Sequence, residues 1–215
     1  MIQTGFDPVP PNLALPSPTE ARKPTRLAST IKRGLDIVVS ATSILLLLPL
    51  MLLVAVTVSA LHLTSPIERE TRLGSGGRSF QALRFRTTEP GNAAIDEPEI
   101  AVTPGAPGTV TAFGRVLGAT SLDQLPMLLN VLRGEMSLVG CRPVLSATAV
   151  ASDLDAYLPM PPGLTGSWQV EVGPDATEAD RAALDLDYAS RWSLRRDLAI
   201  MLRGVANAFA RRDGR

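Results

Sequence analysis

Residues 37–61 of this chain contain no charged side chain, and no other feature of the sequence restricts its possible folds as much. As one α-helix, this apolar run would be about 37 Å long, enough to cross a hydrocarbon core of about 30 Å. The run also explains why the mean hydropathy of the chain is as high as +0.16. We therefore predict that residues 37–61 insert into a membrane.

Pro49 lies at the middle of the apolar run. Proline removes a helical hydrogen bond and disfavours helical geometry at the preceding residue, so we expect the helix to break or bend there. Each half of the run would then measure about 18 Å, which is too short to cross a bilayer alone. A re-entrant hairpin, in which the chain enters and leaves the membrane on the same side, fits this division.

Basic residues flank the apolar run on both sides. The positive-inside rule therefore favours neither orientation of a single crossing. A hairpin with residues 26 and 72 on the cytoplasmic side satisfies both flanks. We predict such a membrane-inserted hairpin over residues 28–64, broken at Pro49. A single-pass helix with a kink at Pro49 is the alternative.

The rest of the sequence divides into a tail and a domain. Residues 1–27 are predicted to form a disordered tail, because six of the 18 prolines lie there without an apolar period. Residues 65–215 are predicted to form a cytoplasmic domain. It would contain a β-hairpin around residues 74–77, a loop over residues 88–109, and helices near residues 176–191 and 193–211.

Composition excludes several classes of function. The 21 basic and 21 acidic residues cancel, which argues against a nucleic-acid surface over the whole chain. Aromatic residues make up only 4% of the chain, too few for a platform that stacks single-stranded bases. The single cysteine, Cys141, excludes an internal disulfide and a cysteine-rich zinc site.

Ser121 and Gln124 have the spacing of a capping box before the apolar residues 125–132. We expect a helix to begin at Ser121, with Asp123 in its first turn. The N–H groups and the dipole of a helix N-terminus keep such a carboxylate ionised and attract phosphate. An acidic residue at this position also has a purely structural use, because it stabilises the helix.

Several blocks of sequence follow one another in a recognisable order. They are KRGLD at 32–36, RLG at 72–74, RFR at 84–86, FGR at 113–115, TSLDQLP at 120–126, GEMSLVGCRP at 134–143 and PGLTGSWQV at 162–170. In these blocks, and in the apolar run with its proline, the chain resembles the bacterial sugar transferase family. This family comprises small monotopic polyprenyl-phosphate phosphoglycosyl transferases. The resemblance covers about residues 30–205.

The resemblance implies an α+β fold that is mostly helical. It implies a re-entrant membrane hairpin and a compact cytoplasmic domain with a small β-hairpin or sheet and amphipathic surface helices. The implied activity is transfer of a phospho-sugar from a UDP-sugar to polyprenyl (undecaprenyl) phosphate, with release of UMP and with Mg²⁺ as cofactor. This reaction initiates cell-surface polysaccharide synthesis on the cytoplasmic face of the bacterial inner membrane, and downstream glycosyltransferases are possible partners.

The resemblance also implies roles for particular residues. Asp123 would attack the β-phosphate and bind the metal, and Gln124 stands where the family has a glutamate that supports metal and proton handling. Because the phosphates are anionic, arginines are expected to bind them; the candidates are Arg72, Arg86, Arg115 and Arg142. The departure at Gln124 keeps a second hypothesis open, a membrane-bound homologue that acts as a binding or scaffold protein.

Overall fold

The computed structural model describes residues 25–62, 64–89, 109–144, 160–172 and 177–213. Nearly all of the predicted tail and of the predicted loop over residues 88–109 therefore lie outside the described residues. The described part is mostly helical and has two small sheets, as the sequence predicts.

The elements follow one another along the chain with short connections. They are α1 (Arg26–His62), β1 (Ile67–Leu73), β2 (Ser79–Phe85), α2 (Ala112–Thr120), a 3₁₀ turn (Leu122–Gln124), α3 (Met127–Arg133), β3 (Ser137–Val139), β4 (Gly163–Thr165), α4 (Ser167–Glu171), α5 (Glu178–Ser190) and α6 (Leu194–Asp213). The predicted hairpin is β1 and β2, and the two predicted C-terminal helices are α5 and α6.

The apolar run lies in α1, which is one helix with Pro49 inside it. The expected division into two helices is therefore absent, because one proline removes only one helical hydrogen bond and the neighbouring leucines favour a helix. Only 11% of the most apolar 18-residue window of α1 is buried. This helix is long and apolar enough to cross a membrane, and little of it is covered by the rest of the described structure. The hairpin itself stays a prediction.

The N-terminal part of α1 is attached to the domain through polar side chains. Lys32 Nζ donates to Asp197 Oδ2 at 2.6 Å and to the Val139 carbonyl at 2.8 Å. Asp36 accepts hydrogen bonds from the Ser137 hydroxyl at 2.9 Å and from the Leu138 N–H at 3.0 Å. Both charged residues are buried. They therefore fix the start of the apolar run to β3 and α6.

The C-terminal part of α1 is attached to the same domain by apolar packing. Val54 and Val58 are buried and form a cluster with Phe85 of β2 and Leu117 of α2. About 27 Å of helix separates Asp36 from Val54, at 1.5 Å per residue. The domain therefore contacts α1 on both sides of Pro49.

Two further clusters complete the core. The antiparallel β1–β2 hairpin, with Arg72 opposite Phe80 and Glu68 opposite Arg84, packs on α3 through Phe80, Ala82 and Met127. The parallel β3–β4 pair requires two glycines, because a Cβ at Gly163 would lie 2.1 Å from the Gly140 nitrogen. The second cluster joins β3 to α5 and α6.

The last helix, α6, is amphipathic. Ile200 is buried against the second cluster, whereas Leu198, Leu202 and Val205 are exposed on one side. The spacing of these three residues places them in a single stripe. An exposed apolar stripe with neighbouring arginines is typical of a helix that lies on a membrane surface. The amphipathic pattern of α6 agrees with the expectation, and its position on a membrane surface stays a prediction.

Candidate active site around Asp123

The loop that carries Asp123 has a geometry different from the expected capping box. Ser121 adopts a left-handed conformation (φ 56°), and its N–H donates to carbonyls at the end of α2. It therefore ends α2, and its side chain makes no capping hydrogen bond to the 3₁₀ turn that follows. An N-cap residue needs extended backbone, so the predicted capping box is wrong. Asp123 lies in the 3₁₀ turn, and α3 begins only at Met127.

Asp123 is the buried acidic group of this turn, with a relative exposure of 1%. Its Oδ2 accepts a hydrogen bond from Arg84 Nη2, and the two side chains form an ion pair. Its Oδ1 is buried and has no hydrogen-bond partner among the described residues. Buried carboxylate oxygens are normally satisfied, so Oδ1 is an acceptor that stays available to a ligand.

Arg84 belongs to a chain of alternating charges. Its Nη1 lies 3.5 Å from Glu70 Oε1, and Arg72 donates to Glu70 Oε2 at 2.6 and 3.0 Å. Burial opposes ionisation of Arg84, but the hydrogen bond to Asp123 and the charge of Glu70 outweigh it and raise its pKa above the usual value. Arg84 therefore keeps its positive charge beside Asp123 near neutral pH.

The described contacts of the four predicted arginines are with groups other than Asp123, and their role in binding phosphate stays a prediction. Arg72 also donates to the Pro143 carbonyl at 2.6 Å, so it reaches Asp123 only through Glu70 and Arg84. Arg86 lies near the Ser65 carbonyl and Glu68, Arg115 lies near the Val110 carbonyl, and the backbone of Arg142 donates to Asp185. Among the described residues, Arg84 is the arginine that contacts Asp123. Sequence reasoning missed it.

Asn130 fixes the distance between Arg84 and the turn. Its side-chain amide donates to the Gln81 carbonyl at 2.7 Å, and its Oδ1 accepts from the Leu83 N–H at 3.0 Å. Since Asn130 is in α3, directly after the turn of Asp123, these bonds hold β2 against that turn. Sequence reasoning missed this residue too. The sequence feature that could have identified it is its side-chain amide within the otherwise apolar segment 125–132.

Gln124 lies beside Asp123 in the turn and lines a cavity of about 670 Å³. The cavity is bounded by α1, by the turn, by β3 and β4, and by α4, α5 and α6. Asp123, by contrast, contacts β2 through Arg84. The two predicted catalytic residues therefore lie between the hairpin on one side and the cavity on the other.

The donor set at Asp123 suits Mg²⁺. No group of three or more histidine, cysteine, aspartate or glutamate side chains that could hold a metal occurs among the described residues. Mg²⁺ is commonly bound by one or two carboxylates, with substrate phosphates and waters as the other ligands. The open Oδ1 of Asp123 leaves one carboxylate oxygen for that purpose. The amide oxygen of Gln124 is a second, weaker candidate ligand.

Comparison with known proteins gives a consistent result. The profile of the bacterial sugar transferase family matches residues 27–211. The chain is 44% identical over 189 residues to the UDP-glucose:undecaprenyl-phosphate glucose-1-phosphate transferase of Caulobacter vibrioides, covering 81% of this chain and 68% of that protein. It is 36% identical over 206 residues to the exopolysaccharide production protein ExoY of Rhizobium meliloti, covering 89% and 90%. It is also 36% identical over 198 residues to the UDP-galactose-lipid carrier transferase of Erwinia amylovora, covering 86% and 41%.

Proposed function

Because the chain belongs to the bacterial sugar transferase family, we propose that it transfers a phospho-sugar from a UDP-sugar to undecaprenyl phosphate and releases UMP. The names of its relatives support this reaction and its place at the start of exopolysaccharide synthesis. The observation that carries the proposal is the buried carboxylate of Asp123, which is held on one oxygen and open on the other. The relatives are transferases, and the scaffold hypothesis is not favoured by them.

In the first half of the reaction, the Asp123 carboxylate attacks the β-phosphorus of the UDP-sugar. A bond forms between a carboxylate oxygen and this phosphorus, and the bond from the phosphorus to the bridging oxygen breaks. UMP leaves with the bridging oxygen, and the sugar phosphate remains on Asp123 as an acyl phosphate. Burial of Asp123 protects this intermediate from water.

In the second half, an oxygen of undecaprenyl phosphate attacks the same phosphorus and the bond to Asp123 breaks. The carboxylate is regenerated, and the sugar is left on a lipid diphosphate. Arg84 keeps Asp123 in place and offsets negative charge on the phosphates in both halves. Mg²⁺, when bound, neutralises the diphosphate, and Asp123 and Gln124 would hold it.

UMP release tests this function directly. Membranes that contain the full chain are given a panel of UDP-sugars, with and without undecaprenyl phosphate. We expect at least one sugar to give UMP and a lipid-linked sugar that depends on the added lipid. Release of free sugar phosphate without a lipid product would contradict the proposal.

We further propose that both ends of α1 face the cytoplasm. The support is the pair of attachments of α1 to one domain, by Lys32 and Asp36 at one end and by Val54 and Val58 at the other. A straight crossing would carry the domain, with ion pairs such as Arg84–Asp123, to the depth of the hydrocarbon chains. A re-entrant path that bends at Pro49 avoids this cost. The site would then face the cytoplasm at the inner membrane, and downstream glycosyltransferases would receive the product there.

Cysteine labelling tests this topology. Single cysteines replace Ser29 and Thr64, both exposed, in the full chain. The native Cys141 is buried and should react little. We expect a membrane-impermeant maleimide to label both positions in inside-out vesicles and neither in intact cells. Labelling of one position from outside the cell would show a single crossing.

A further inference from the structure

The cavity beside Gln124 is large enough to hold part of a substrate. Its volume of about 670 Å³ is typical of a small-molecule site. Most of the described lining side chains are apolar: Val39, Leu125, Leu138, Leu164, Trp168, Val170, Met201 and Val205. Such a lining favours a hydrocarbon over a sugar.

The walls of the cavity continue into the surfaces that would face a membrane. Val39 belongs to the apolar run of α1, and Val205 belongs to the exposed stripe of α6 with Leu202. Val39 is 38% exposed and Val205 is 57% exposed, so both are at the edge of the cavity rather than deep inside it. A hydrocarbon chain in the bilayer would therefore reach the cavity without crossing water.

The polar part of the lining suits a phosphate. Arg181 is the charged side chain among the described lining residues, and its guanidinium lies 4.9 Å from the centre of the Trp168 ring. Gln124 is on the same lining and is the chain neighbour of Asp123. The cavity thus combines an apolar wall with a cation and reaches the turn that carries the proposed nucleophile.

We propose that this cavity binds the acceptor lipid, with its first isoprene units against Val39, Leu164 and Val205 and its phosphate towards Arg181 and Gln124. This proposal rests on the transferase function proposed above, and it identifies where one of the two substrates binds.

The uridine of the UDP-sugar is the competing occupant, since Trp168 offers a ring for stacking. Two amides of the lining that could bind a base each already have one of their two polar atoms bonded, however. Gln169 Oε1 accepts from the Gly166 N–H at 3.0 Å, and Asn207 Nδ2 donates to the Val170 carbonyl at 3.4 Å. The opening beside α1 and α6 also favours a ligand that arrives from the membrane.

Gly204 allows the cavity to be filled by substitution. It lines the cavity from α6, and a Cβ there would meet Thr165 and Val170 at 3.6 and 3.8 Å, which is ordinary contact. Gly204→Ala should therefore be tolerated, whereas Gly204→Leu should place its branched end in the cavity. Gly34→Leu is the matched control, because Gly34 is an exposed helical glycine of α1 with no atom within 4 Å of its Cβ.

The two half-reactions of the full chain are measured separately. With UDP-sugar alone, we expect Gly204→Leu to release UMP in the same single-turnover amount as the wild type. With undecaprenyl phosphate, we expect its KM for the lipid to rise about tenfold, the effect of losing about two buried methylene contacts. Gly34→Leu should keep the wild-type KM. A raised KM for the UDP-sugar with an unchanged KM for the lipid would overturn the proposal in favour of the nucleotide.

A binding measurement separates failure of this proposal from failure of the proposed function. The full wild-type chain is photolabelled with a benzophenone analogue of farnesyl phosphate, and the labelled peptides are identified by mass spectrometry. We expect labels at the cavity wall around residues 164–170 and 201–205, with competition by undecaprenyl phosphate. Such labelling without any UMP release would refute the function and retain the lipid site. Transferase activity with labels only outside the cavity would refute the lipid site and retain the function.

Discussion

Asp197 and Asp123 are both buried aspartates with a basic partner, but they are bonded differently. Asp197 Oδ2 accepts from Lys32 at 2.6 Å and from the Trp192 indole at 3.1 Å, and its Oδ1 accepts from the Tyr188 hydroxyl at 2.6 Å. Asp123 accepts from Arg84 on one oxygen and has no described partner on the other. Both oxygens of Asp197 have hydrogen-bond partners within the protein, whereas only one oxygen of Asp123 has a described partner.

The difference separates a structural site from a reactive one. Asp197 joins α1 to α5 and α6, and burial together with the charge of Asp197 raises the pKa of Tyr188, so that its hydroxyl stays a donor. A complete network of this kind rigidifies the core. Asp123 keeps an unsatisfied oxygen, which lowers stability and is retained where a ligand is to be bound.

The largest expected effects come from replacing each of the two aspartates with asparagine. Asp123→Asn removes the attacking charge and nearly preserves shape, so phospho-sugar transfer should fall below detection. Asp197→Asn leaves the ammonium of Lys32 buried without its counter-charge, and we expect a loss of about 3 kcal/mol in unfolding free energy. UMP release and thermal unfolding of both variants in detergent provide the measurements.

The two asparagine variants should also differ in their effect on Tm. Asp197→Asn should lower Tm by roughly 6–12 °C. Asp123→Asn should change Tm little, because Arg84 is part-exposed and retains Glu70 as a partner. A Tm loss for Asp123→Asn as large as that for Asp197→Asn would show that Asp123 is structural.

Arg84→Gln tests whether the paired oxygen of Asp123 matters for chemistry. Loss of one preorganised donor at a developing charge costs about 10²–10³-fold in kcat, so we expect a decrease of that size. Arg69→Gln is the matched control, since Arg69 lies on β1 of the same hairpin and is exposed. Equal activity of the two variants would remove Arg84 from the site.

Gln124→Glu tests whether the turn lacks a second carboxylate. A glutamate is a stronger metal ligand than an amide and can handle a proton, so transfer should rise, by about 10²-fold at the lower limit for a positioned acid or base. The rate of UMP release at saturating Mg²⁺ measures the gain. Gln169→Glu, on the same cavity but away from the turn, should give none.

The smallest expected effect concerns Asp197, whose two oxygens are both hydrogen-bonded. Tyr188→Phe removes one donor from Asp197 while Lys32 and Trp192 remain. Hydrogen bonds to charged groups contribute about 1.5–3 kcal/mol, so Tm should fall by roughly 3–6 °C at the lower limit. Transfer at a temperature well below Tm should be unchanged. A larger loss of transfer than of stability would mean that the network also serves the reaction.

The sequence predicted those parts of the molecule that depend on local periodicity. The charge-free run predicted an apolar helical segment but not its continuity through Pro49, the apolar period predicted α6, and the alternation around residues 74–77 predicted the β1–β2 hairpin. The turn at Ser121 was mispredicted because serine is a preferred helix N-cap residue and rarely adopts the left-handed conformation that it has at the end of α2. Whether Ser121 ends α2 or begins the next helix depends on how α2 packs, and a local sequence pattern does not contain that information.

The candidate site was predicted in part. Asp123 was identified from its motif, but its partner was not, because Arg72, Arg84 and Arg86 are equivalent as sequence. Only the strand register places Arg84 opposite Glu68 and within reach of the turn. Lys32 and Asp36 were read as flanking charges of a membrane segment, whereas they are buried in long-range contacts with Asp197 and Ser137.

The central claim is that the half-paired carboxylate of Asp123 becomes phosphorylated by the donor sugar. Mass spectrometry of the full chain after rapid mixing with the accepted UDP-sugar, without lipid, tests it most directly. We expect the mass of one sugar phosphate on the peptide that contains Asp123, its loss on addition of undecaprenyl phosphate, and no adduct in Asp123→Asn. An adduct on another residue, or an undiminished adduct in Asp123→Asn, would contradict the account.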